Sequence, residues 1–197
     1  MSALTLLIIR HAEKPNENWP GPGLTEDGTP DDHSLVVRGW QRAGSWAALF
    51  GAGLGGNDYP QPYIIYAADP NQQNGQAGTD QQPSKRPYET VKPLSDRLRL
   101  ETITKFALGQ ETQLVTEITA LTGVVLLAWE HKHIVEIILP QLARGQTLPG
   151  LPSKWHGDRF DVVLRFDRLT AGAPWSFRQL FPRLLSGDSD VPLGKQV

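Results

Sequence analysis

The chain has no cysteine among its 197 residues. Disulfides, thiolate nucleophiles and cysteine-ligated zinc are thereby excluded, and a cytoplasmic setting is the expected one. It also lacks any apolar run near the roughly 18 residues that a membrane-spanning helix needs. Hydrophobic residues make up 39% of the chain and the mean hydropathy is −0.34, the profile of a soluble globular protein with no membrane partner. The opening run carries neither the basic n-region nor the small-residue cleavage site of a secretory signal. An excess of charge of one sign is missing as well: 19 Lys and Arg stand against 21 Asp and Glu, a net charge of −2. That balance argues against a general polyanion binder, and no nucleic-acid motif, internal repeat or Gly-rich dinucleotide fingerprint is present. A phosphate ligand would therefore need basic residues concentrated locally. The length fits one domain over residues 1–197, with a sizeable core.

The richest stretch is Leu4 to Lys14, Leu-Thr-Leu-Leu-Ile-Ile-Arg-His-Ala-Glu-Lys. Its apolar part predicts a strand buried on both faces of a mainly parallel sheet. It stops at Arg10 and His11, and open α/β sheets bind ligands beyond the carboxyl ends of their strands. The pair suits a phosphate, because Arg supplies a rigid fork of charged donors and a neutral imidazole can attack phosphorus. On spacing alone, a hydrogen-bonded loop histidine is the competing reading.

Residues 13–33 are rich in Pro, Gly, Asn and Asp with Trp19 as the one large aromatic, which predicts a long loop, either a lid or a surface excursion. Ser34 is placed to cap a helix through Phe50, with Arg38 and Arg42 expected to face solvent. Tyr63 to Ala68 predicts a second buried strand. A Gln/Asn/Gly-rich excursion near residues 70–83 leads to Arg86-Pro87 at a helix start, where Pro is favoured and free amides attract anions. That helix is expected to reach Leu98 or Arg99, followed by a short strand over residues 101–106 and a helix over residues 110–121. Val124 to Trp129 is again wholly apolar and ends at Glu130-His131, so two buried strands each deliver a histidine to one edge. A helix over residues 134–143 follows. Residues 160–166 and 175–180 predict an antiparallel edge pair, and the tail from about Ser186 is polar and expected to be mobile. Zinc on His131 and His133 is disfavoured by the want of a clear third ligand; His131 as a helix cap is the structural alternative.

Arg10-His11-Ala12-Glu13 resembles the Arg-His-Gly-Glu signature of the histidine phosphatase superfamily, the phosphoglycerate mutase-like proteins. Leu35 to Ala43 resembles the helix after that motif, Arg86-Pro87-Tyr88-Glu89-Thr90 its Arg-Ala-x-Gln-Thr segment, and the strand ending at His131 its Ser-His-Gly strand. The resemblance implies a three-layer α/β/α sandwich around a mainly parallel sheet. It implies a metal-independent phosphatase, without cofactor, that hydrolyses a small phosphate monoester through a phosphohistidine on His11. Arg10, Arg86 and His131 would bind the phosphoryl oxygens, and a carboxylic acid after the second motif, Glu101 ahead of Glu111, would protonate the leaving oxygen. A phosphomutase, or a phosphate-ligand-binding protein without turnover, are the alternatives. Trp19 and Trp155 hint at a flat or sugar-like group on the substrate.

Overall fold

The computed structural model describes residues 3–53, 55–72 and 83–194. Among these residues, six strands form one sheet in the order β3-β2-β4-β1-β5-β6: β1 (Leu4–Arg10), β2 (Ile64–Ala67), β3 (Thr102–Ile103), β4 (Gly123–Trp129), β5 (Val163–Arg168) and β6 (Ser176–Leu180). β3, β2, β4 and β1 run parallel, and β5 and β6 close the far edge antiparallel. The expected antiparallel pair is there, but its first strand begins at Val163, which frees Phe160 for another task.

Side-chain alternation sorts the core into two layers. Leu7 and Ile9 of β1, with Leu126 and Ala128 of β4, pack under α1 (Val37–Gly51) and α2 (Arg86–Leu98). Leu4, Leu6 and Ile8, with Val125, Leu127 and Trp129, pack on the other face under α3 (Glu111–Ile118) and the helices that follow β4. The result is the expected α/β/α sandwich. Because the chain leaves β1 toward one face and β4 toward the other, a crevice opens between their carboxyl ends.

Ser34 does not cap α1. It lies buried ahead of the helix, its hydroxyl donating to Glu89 Oε1 at 2.6 Å, and the cap position falls to Val36 without a side-chain bond. Gly39 is required by proximity: a Cβ there would sit 2.5 Å from the Glu13 carbonyl oxygen. Arg38 and Arg42 are not solvated. Arg42 is buried against Glu13 and Asp188, and Arg38 lies half-buried against Glu13.

The helix after β4 starts at His131 rather than Ile134 and changes pitch. A single turn, α4 (His131–His133), runs into a π-helical stretch (Ile134–Ile138) and then α5 (Leu139–Ala143). Pro140 offers no amide to an α-helical ladder and its ring would clash with the preceding turn. The widened turn, with Leu139 N donating to Ile134 O, accommodates it. The segment from Ser186 is also corrected: it packs on the body, with Asp188 gripped by Arg42, Ser189 N donating to Asp161 Oδ2 at 2.7 Å, and Leu193 buried. Most of the excursion expected near residues 70–83 lies outside the described residues.

Candidate active site

β1 and β4 end level, with Arg10 opposite Trp129, and the amide of His11 continues the ladder by donating to Trp129 O at 3.0 Å. His11 is thus held by backbone pairing at the sheet's carboxyl edge. Its Nδ1 lies 2.8 Å from the Ala12 carbonyl oxygen. A carbonyl only accepts, so Nδ1 carries the proton and Nε2 keeps its lone pair. Burial, then the charge of Arg10, hold the imidazole well below its ordinary pKa, and Arg86 adds to the effect. The ring is therefore neutral at neutral pH, in one tautomer.

Arg10 is wholly buried. Its Nη1 donates to the carbonyls of His156 (3.2 Å), Gly157 (2.8 Å) and Arg159 (3.0 Å), and its guanidinium carbon sits 3.8 Å from the centroid of the Phe160 ring. Nε and Nη2 find no acceptor among the described residues. Burial lowers the group to about 10, although Glu130, Glu13 and Asp158 oppose the shift. A buried guanidinium with two donors unmatched is destabilising unless an anion meets them.

Arg86 opens α2 as expected, with Pro87 beside it. Its Nε donates to Ser34 O at 3.3 Å and its Nη2 to Asp32 O, so the 13–33 loop aims this side chain. Lys85 Nζ on Asp31 Oδ2 at 2.6 Å pins the same loop to the same helix end. Burial pushes the Arg86 guanidinium down. Lys14, unassigned from sequence, is half-buried and depressed first by burial, then by Arg86 and Arg10. The structure thus gathers Arg10, His11, Lys14 and Arg86 into one electropositive corner.

His131 is half-buried at the first turn of α4, its Nδ1 2.6 Å from Glu130 Oε1 at an angle that makes no hydrogen bond. The carboxylate that acts most strongly on Arg10 is Glu130. Burial, the largest effect on it, pushes its pKa up, but His131, the amide of His133 and His11 outweigh it and bring it to about 2. Its Oε2 also caps the helix, accepting from Lys132 N at 2.7 Å and His133 N at 3.0 Å. The capping role weighed for His131 thus belongs to its neighbour. Lys132 is exposed, while His133 donates from Nδ1 to Glu111 Oε1 at 2.6 Å.

Neither expected acid is placed for its role. Glu101 is exposed and immediately precedes β3, whose parallel pairing with β2 puts it at the amino edge of the sheet, opposite to His11. Glu111 is buried at the start of α3 and wholly engaged. It accepts from His133, from Trp129 Nε1 at 2.9 Å and from Gly109 N, and these donors, against an upward push from burial, keep it below the ordinary range. Trp155, too, is a core residue; its Nε1 donates to Arg159 O at 2.8 Å and so braces one of the carbonyls that hold Arg10. Phe160 was hidden in an apparent strand, and no spacing signal marks it.

No protein-family model and no curated protein matches the sequence. Solved structures do resemble it in fold. Over 90% of this chain and 97% of the other it is similar to the protein histidine phosphatase SixA complexed with tungstate, at 14% identity and a TM-score of 0.55. A mycobacterial glucosyl-3-phosphoglycerate phosphatase matches over 91% of this chain and 98% of its own, at 15% identity and a TM-score of 0.53. A structure described as mycobacterial hydrolase 2 matches over 100% and 94%, at 14% identity and a TM-score of 0.52. The chain has the fold of the histidine phosphatases.

Proposed function

We propose that this protein is a phosphatase that hydrolyses a small phosphate monoester through a phosphohistidine on His11. The observation that carries the reading is the contact of His11 Nδ1 with Ala12 O, which leaves the Nε2 lone pair free beside the buried guanidinium of Arg10 and the half-buried one of Arg86. Nε2 attacks phosphorus in line, the P–N bond forms, and the bond to the leaving oxygen breaks, that oxygen departing with the electron pair and taking its proton from solvent. The free Nε and Nη2 of Arg10, with Arg86 and His131, take the charge on the non-bridging oxygens. Water then attacks the phosphohistidine and gives up a proton to solvent, the electron pair of the P–N bond returns to Nε2, and inorganic phosphate is released. The cationic side chains supply the electrostatic help that a metal gives elsewhere, so the scheme runs without one.

Glu130 stays ionised and acts by positioning: it caps the helix that presents His131. The similarity in fold to phosphatase structures supports the reading, while substrate and mechanism rest on the site. The experiment is a rapid acid-free quench of the protein mixed with labelled p-nitrophenyl phosphate. Acid-labile label on the wild type and none on His11→Ala is the expected result. Label persisting in the variant rejects His11 as nucleophile; binding of phosphate without any turnover or label by the wild type makes it a phosphate-binding protein instead.

A further inference from the structure

We infer that the group esterified to the substrate's phosphate is flat and aromatic, and that Trp19 selects it. This rests on the phosphatase reading and goes beyond it. One wall of the corner is built as a relay of planar groups. The Arg10 guanidinium covers Phe160 at 3.8 Å; the Phe160 ring lies 5.9 Å from the His11 ring, tilted by 58°; and the Trp19 ring meets Phe160 edge to face at 5.3 Å and 82°. Phe160 is buried, whereas Trp19 is half-exposed at the outer end of the relay.

Trp19 is not held there by chance packing of a loose loop. Asn16 Oδ1 accepts from the amides of both Asn18 and Trp19 at 2.9 Å, and Asn16 N donates to Trp19 O at 3.4 Å. Such an Asx turn sets the backbone in advance, so little ordering is left for a ligand to drive. The phosphoryl group is gripped at the inner end of this wall by Arg10. What hangs from the phosphate then meets an indole, which rewards a π-face through offset or edge contacts and gains less from a short aliphatic chain. With Phe160 already committed to Arg10 on one side and Trp19 on another, Trp19 is the aromatic left to meet the substrate.

The test uses non-hydrolysable anions of one charge type: phenyl-, cyclohexyl- and methylphosphonate, titrated calorimetrically into the full chain. Expected for the wild type is about tenfold tighter binding of phenyl- than of methylphosphonate, with cyclohexylphosphonate in between. In Trp19→Ala the phenyl preference collapses while methylphosphonate binds as before, and Trp19→Phe retains most of it. Equal affinities of the phenyl and methyl compounds in the wild type overturn the inference and leave the phosphatase reading standing. So does cyclohexylphosphonate binding as tightly as the phenyl compound, which reports apolar area rather than a flat ring. A preference that survives in Trp19→Ala, or an equal loss of all three ligands there, also overturns it, the latter because Trp19 would then only order the loop. If none of the three binds the wild type, the phosphatase reading falls with it.

Discussion

The amide of Ala12 donates to Thr90 Oγ1 at 2.7 Å, and the same hydroxyl donates to the carbonyl of Arg86 at 2.7 Å. One side chain thereby couples the residue after His11 to the first turn of the helix that carries Arg86. Thr90→Val keeps the shape and removes both bonds, leaving the buried Ala12 amide without an acceptor. A loss of about 1–3 kcal/mol is expected from urea unfolding. Turnover per folded molecule should drop about tenfold or more, because small misplacements of reacting groups are expensive. Turnover at the wild-type level would show that this hydroxyl does not set the distance between His11 and Arg86.

The titration of His11 has a definite sign. Its folded pKa lies well below the ordinary 6.5, so on lowering the pH the unfolded chain takes up the proton first. The stability associated with this group is intact above pH 6.5 and erodes as the pH falls below it. His133, raised by its bond to Glu111 against burial, works the other way: its contribution is complete below 6.5 and is lost as the pH rises through its folded value. Nitrogen NMR of the two rings should therefore show His133 as imidazolium under conditions where His11 remains neutral. The opposite order would remove the basis for a neutral nucleophile.

Glu101 and His131 separate the two edges of the sheet. Glu101→Gln is expected to leave both rate and melting temperature unchanged, because the side chain is exposed at the amino edge. His131→Ala should cut turnover by something like 10²–10³, the usual result of removing one preorganised donor, with little change in stability, since the helix cap is Glu130. Steady-state kinetics with thermal melts on both variants tests the pair, and a Glu101→Gln enzyme that loses its rate would return that residue to the site.

Asp188 is a structural anchor. Its two oxygens take Arg42 Nη1 at 3.1 Å and Nη2 at 2.7 Å, while Arg42 also holds the buried Glu13. Burial opposes the charge on Arg42, and the two carboxylates outweigh it, raising its pKa. Asp188→Ala leaves this arrangement one carboxylate short, and about 3 kcal/mol or more should be lost. Chemical denaturation measures it; a change below about 1 kcal/mol would place the pair among ordinary surface ion pairs.

β1 and β4 were readable because they are buried on both faces and so consist of almost uninterrupted apolar runs, and His11 and His131 were readable because those runs stop next to them. Arg86 was readable from the proline beside it. What escaped was whatever depends on distant chain. Arg42 looked solvated because nothing near it in sequence announces Asp188. Phe160 looked like strand because its neighbours are apolar, and only the fold shows that the ladder begins at Val163. Glu101 was misplaced for a related reason: its distance along the chain from Arg86 is right for an acid, but the strand direction sends it to the wrong edge.

The bonds that hold Arg10 come from carbonyls 146 to 149 positions further along the chain, and these are braced in turn by Arg159, which donates to the carbonyls of Ser189 and Val191. During synthesis the motif at the amino end therefore emerges long before its supports. An incomplete chain can pair β1 with β4 and still have no means of fixing its first guanidinium. The corner around Arg10 is completed by chain made long after β1 and β4, so a chain cut short before Ser189 is expected to retain much of its sheet and leave the carbonyls that hold Arg10 unbraced.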